Sequence, residues 1–68
     1  MKDHTLDEAI VEAARFVKAA KELRAYRRAV EEQGHLPENT APYGRLHATV
    51  ERAALDARYK LADLRAGR

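Results

Sequence analysis

Both prolines and two of the three glycines of this 68-residue chain fall between Gln33 and Gly44, in the stretch QGHLPENTAPYG. Proline fixes φ, lacks a donor and pushes its predecessor away from helix. On the N-terminal side of this break, residues 6–30 contain no Gly or Pro, and apolar side chains recur at Leu6, Ala9, Ile10, Ala13, Phe16, Val17, Ala20, Leu23 and Val30. That spacing of three and four is one face of a helix, not the alternation of a strand. The predicted first helix covers about 6–32. Thr5 and Glu8 form a capping-box pair at its start, and Gly34 is its stop signal. The loop covers about 33–41. A second helix follows over about 42–66, capped by Asn39 or Thr40, with Pro42 in its first turn. Its main stripe is Tyr43, His47, Val50, Ala54, Ala57, Leu61 and Leu64, with Leu46 and Ala53 alongside. The expected fold is a single all-α domain spanning 1–68, an antiparallel two-helix hairpin.

Such a hairpin needs help to stay folded. Apolar residues make up 46% of the chain, but 14 of those 31 are Ala, which bring little surface to bury. Chains of this size ordinarily rely on disulfides, a metal or a partner. There is no Cys, and His4, His35 and His47 show no ligand spacing, so neither a metal nor any other cofactor is expected. A partner chain is the remaining source of stability. The second helix carries a further stripe, Ala48, Leu55, Tyr59 and Ala62, on a side that helix 1 cannot also cover. The expectation is a homodimeric four-helix bundle, or a higher oligomer, with Leu55, Tyr59, Ala62, Phe16 and Leu23 at the interface.

No apolar run approaches the ~20 residues of a membrane span, and the N-terminus MKDHTLDEAI has acids where a secretion signal needs an apolar core. The expected location is cytoplasmic, with no membrane partner. Enzymatic motifs are missing: there is no Ser, no Gly-rich phosphate loop and no metal-binding His pair. The chain reads as a binding module without catalysis.

One constellation points to chemistry. Between Arg15 and Arg28 lie six basic residues and a single acid, Glu22. The apolar series Leu6, Ile10, Ala13, Val17, Ala20 continues in register to Arg24 and Arg27, so the stripe turns basic near the loop. In an antiparallel hairpin that end lies beside Tyr43, Arg45 and His47 and the N-terminal amides of helix 2. Guanidinium forks, aromatic faces and free amides suit a phosphate-bearing ligand. Arg24, Arg27, Arg28, Tyr43, Arg45 and His47 are therefore the candidate ligand-binding residues. Arg24 and Arg27 also suit pairing with Glu31, Glu51 or a neighbouring chain's acids, and their stems can cover apolar surface. Nucleic acid fits less well: the net charge is only +2, and residues 1–34 sum to zero.

From Arg24 onward the chain resembles the small hairpin domain of phage proteins that sequester cyclic-oligonucleotide immune signals. The similar parts are LRAYRRAV, Pro37, Thr40–Ala41, and a helix with Ala53, Ala54, Ala57 and Leu61, about 40 of the 68 residues. Helix 1 departs from the pattern by starting well before the matching region. The resemblance implies a phage-encoded inhibitor, an oligomer that holds anionic nucleotides between subunits without catalysis. No binding residue is carried over from it. The alternative expectation is a protein–protein module, an adaptor, scaffold or inhibitor that binds a host protein through exposed helix faces.

Overall fold

The computed structural model describes residues 2–34 and 41–68. It contains two helices, α1 (Asp3–Gln33) and α2 (Ala41–Arg65), and no strand among the described residues. The all-α antiparallel hairpin expected from the sequence is the fold. Glu8 meets Lys60 near the termini, and the rings of Tyr26 and Tyr43 lie 6.0 Å apart near the other end. The bundle measures 47 × 16 × 13 Å with a radius of gyration of 15.5 Å. A compact domain of this length would have about 11 Å, so α1 alone spans the molecule at ~1.5 Å per residue.

Both helices are rich in Ala, Leu, Glu, Lys and Arg, which lose little side-chain freedom in a helix. α1 begins two to three residues earlier than the spacing predicts. Lys2 occupies the cap position with no side-chain cap bond. Thr5 therefore does not form the expected capping box: it lies inside the first turn and is buried. Gly34 ends α1 as expected, at φ 77°, its N–H donating to the carbonyls of Val30 (3.0 Å) and Glu31 (3.1 Å). Gly67 closes α2 in the same left-handed conformation. There Arg68 N–H reaches Asp63 O at 2.9 Å and Gly67 N–H reaches Leu64 O at 3.1 Å, the paired bonds of a Schellman motif. The expected caps at Asn39 and Thr40, and His35 and Pro37, lie outside the described residues.

The seam between the helices follows a strict three-four alternation. In α1 the positions are Thr5, Ala9, Glu12, Phe16, Ala19, Leu23, Tyr26 and Val30; in α2 they are Tyr43, Leu46, Val50, Ala53, Ala57, Lys60 and Leu64. All of them are buried or half-buried. This is the 3.5-residue repeat of a coiled coil. Part of the expected apolar stripe therefore leaves the contact. Leu6, Ile10, Ala13 and Val17 of α1, and His47, Ala54 and Leu61 of α2, are exposed, while Lys60 takes a seam position in α2. Phe16 and Leu23, expected to meet a second copy, are half-buried in the intramolecular seam.

The buried residues are small: Thr5, Ala9, Ala19, Ala53 and Ala57. Replacing Ala57 with Leu would insert three extra carbons where the helices approach, and overpacking of this kind costs about 1–3 kcal/mol. Urea unfolding of Ala57→Leu should show that loss, and an unchanged midpoint would mean that the seam is loosely packed.

The Lys60 ammonium donates to the Glu8 carboxylate across the seam, with both side chains half-exposed. That hydrogen bond, opposed by partial desolvation and reinforced by charge attraction, holds the Glu8 carboxyl below its ordinary 4.5 and raises the Lys60 ammonium above 10.5. A depressed carboxyl stabilises the fold above its unfolded value and ceases to do so as pH falls through its folded value. A raised ammonium stabilises below its unfolded value and ceases as pH rises through its folded one. The pair therefore supports the hairpin between these limits. Glu8→Gln should flatten the acid limb of a plot of melting temperature against pH. An identical acid limb in wild type and variant would show that the pair contributes nothing.

Candidate functional site

The seam divides the surface into two flanks. On one, Arg15, Lys18, Ala19 and Glu22 of α1 border a shallow groove with Thr49 of α2. Asp7, Glu8, Val11 and Glu12 border another with Lys60. This flank is polar and largely self-paired: Arg15 donates to Glu12 at 3.0 Å, and Glu8 meets Lys60. The Thr49 hydroxyl donates to the Arg45 carbonyl at 2.9 Å, returning the side chain to its own helix.

The opposite flank is apolar for most of its length. Leu6, Ile10, Ala13, Val17 and Ala20 run along α1, with Ala54 and Leu61 beside them on α2. Ile10 is 59% exposed, Leu61 51%, Val17 47% and Leu6 39%. Towards the loop the flank turns basic. Arg24, Arg27 and Arg28 line an open groove of about 290 Å³ with Ala20, Leu23, Glu31 and Val50. A second groove on the same side, lined by Phe16, Val17, Ala20, Lys21 and Arg24, joins the apolar and basic parts. None of the three arginines has an ion-pair partner among the described residues. The expected pairing of Arg24 or Arg27 with Glu51 does not form; Glu51 instead sits 3.1 Å from His47 Nδ1, one turn away on its own helix.

The six expected ligand residues do not converge on one point. Arg24, Arg27 and Arg28 share the groove. Tyr43 lies half-buried in the seam, its ring 6.0 Å from that of Tyr26 and 6.0 Å from that of His47, tilted by 44° and 31°. These spacings suit aromatic packing. His47 is exposed on the arginine flank, in the turn before Val50. Arg45, seven residues before Arg52 and fourteen before Tyr59, lies with them on another face. Sequence reasoning missed Glu31 as a groove residue. It also missed Tyr26, whose hydroxyl is buried beside Tyr43 without a hydrogen-bond partner among the described residues. The seven-residue step from Ala19 to Tyr26 was the available signal.

The expected oligomer residues Leu55, Tyr59 and Ala62 are exposed on the outer side of α2, Leu55 at 45% and Tyr59 at 62%. No helix is long and apolar enough to cross a membrane among the described residues, and no cluster of His, Asp and Glu there is arranged to hold a metal.

No family model, curated protein or solved structure matches the chain.

The basic groove is open and its arginines are exposed, so their removal should leave the hairpin intact. Arg24→Ala with Arg27→Ala should keep the helical circular-dichroism signal and change stability by no more than about 0.5 kcal/mol per site. Loss of the helical signal would instead make these arginines part of the fold.

Proposed function

We propose that the chain is a non-enzymatic cytoplasmic interaction module whose outer α1 flank docks against another protein helix. The observation that carries this reading is the alignment of Leu6, Ile10, Val17 and Leu61, all exposed, along one flank of a hairpin whose seam buries only Ala and Thr. Single exposed Leu residues are ordinary. Four large aliphatic side chains in one strip are a contiguous patch, the mark of an interaction surface. Burial of each stabilises by up to roughly 1.5–3 kcal/mol. A photo-crosslinking residue at position 17 should give a discrete covalent protein product in the producing cell. The same residue at position 11 is a stringent control, because Val11 is equally apolar and exposed but lies on the polar flank. Equal yields from both positions, or none from either, would remove the reading.

The basic groove favours a second reading, capture of a phosphate-bearing ligand. Three arginines without an ion-pair partner among the described residues, around about 290 Å³, supply the charge, and the size is close to the ~300 Å³ lower limit for small-ligand sites. The resemblance to phage proteins that sequester cyclic-oligonucleotide signals supports a cyclic nucleotide and an inhibitory role. A thermal shift with a cyclic dinucleotide, lost in the Arg24→Ala, Arg27→Ala variant and reduced by salt, is the expected result; no shift at low salt would eliminate this reading.

A further inference from the structure

We infer that the occupant of the apolar α1 flank is a second copy of this chain, with its α1 antiparallel to the first. This rests on the docking reading above and names its partner. Three observations converge on it.

The first is area. The chain exposes 5449 Å², whereas a compact monomer of 7.7 kDa exposes roughly 4,300 Å². The excess, about 1,100 Å² over the whole elongated chain, leaves room for the ~800 Å² that each partner contributes to a standard interface.

The second is charge. Along the flank, charge is acidic at Asp3 in the first turn of α1 and basic at Arg24, Arg27 and Arg28, before α1 closes on Glu31 and Glu32. Asp3 falls on the same heptad position as Ile10, Val17 and Arg24, because each is seven residues from the next. Neither Asp3 nor Arg24 has an ion-pair partner among the described residues. They stand about 31 Å apart on one helix at ~1.5 Å per residue, too far to meet within a chain. A parallel copy would set Asp3 near Asp3 and Arg24 near Arg24. An antiparallel copy sets each acid against the other chain's base.

The third is self-complementarity. The apolar strip runs from Leu6 to Ala20 and its midpoint is Ala13. A two-fold axis half a residue beyond it, between Ala13 and Ala14, places Ile10 against Val17 of the second copy and Asp3 against Arg24, with Leu6 within one residue of Ala20. One register thus serves both the apolar and the ionic requirements, and the small Ala13 beside the axis allows close approach. A two-fold contact uses the same patch on both chains, which a strip with this internal symmetry provides. Leu61, on the neighbouring helix, extends the contact at each end.

Sedimentation equilibrium of the full chain at micromolar concentration should give about twice 7.7 kDa. Arg24→Glu sets acid against acid at two places in the dimer and should weaken association by at least about tenfold. Asp3→Arg alone should do the same. The double variant Asp3→Arg, Arg24→Glu restores both pairs with reversed sign and should recover most of the lost affinity. All these positions are exposed, so the variants keep the helical signal. Ile10→Glu should give monomer, read with circular dichroism to confirm that helix remains. A wild-type chain sedimenting as a monomer overturns the inference, as does a double variant no tighter than the weaker single one. A dimer broken by Leu55→Glu but not by Ile10→Glu also overturns it, by placing the contact on the outer side of α2. Crosslinking from position 17 separates the two levels. A product too heavy to be two copies, from a chain that sediments as a monomer, leaves the docking reading standing and removes the second copy. No product removes both.

Discussion

Two helices that meet through alanine can lie close together, but they hide little apolar surface in doing so. Ala9, Ala19, Ala53 and Ala57 are the buried hydrophobic residues of this hairpin. Close approach gives many favourable dispersion contacts between the backbones and Cβ atoms. It also leaves the larger side chains at the margins, where Phe16, Leu23, Leu46, Val50 and Leu64 are only half-covered and Ile10, Val17 and Leu61 are open. The extended shape and the exposed strip follow from that choice of small residues in the seam.

Polar groups do the work of alignment that large side chains do elsewhere. Where the seam closes through Ala9, Ala19, Ala53 and Ala57, it has little to distinguish one register from the next. Lys60 at a seam position meets Glu8 across the helices in the observed alignment. At the other end Tyr26 and Tyr43 are the bulky pair, and their rings can pack only when the same register holds. The hairpin is thus pinned at both ends.

The two flanks differ because charge is distributed unequally about the seam. One flank pairs its charges locally, as in Arg15 with Glu12. The other keeps Arg24, Arg27 and Arg28 without an ion-pair partner among the described residues, next to aliphatic surface. Such guanidinium groups beside an apolar strip favour association with something that offers both acid and hydrocarbon, and the first turns of α1 offer both. The same guanidinium groups would serve an anionic ligand. The two readings differ in whether aliphatic burial or phosphate charge supplies most of the binding free energy.

The sequence by itself determined that there are two helices, that they are antiparallel and where the first one stops. Those features depend on local chemistry: helix propensity, the spacing of apolar residues, and Gly34 followed by two prolines. It also located the basic end of α1, because Arg24 and Arg27 interrupt an apolar series. Which apolar residues form the seam was settled only by the packed pair. A broad stripe such as Leu6, Ala9, Ile10, Ala13, Phe16 and Val17 is wider than one helix contact, and two helices in contact select the residues with the 3.5-residue period. The selection admitted Thr5, Glu12 and Lys60, whose polarity hid them from an apolar count, and it excluded Ile10 and Val17. It also separated Arg45 from the arginine groove, since its position around α2 depends on which face of that helix meets α1. Local spacing cannot choose between adjacent faces of one helix; only the partner helix, by occupying one of them, can.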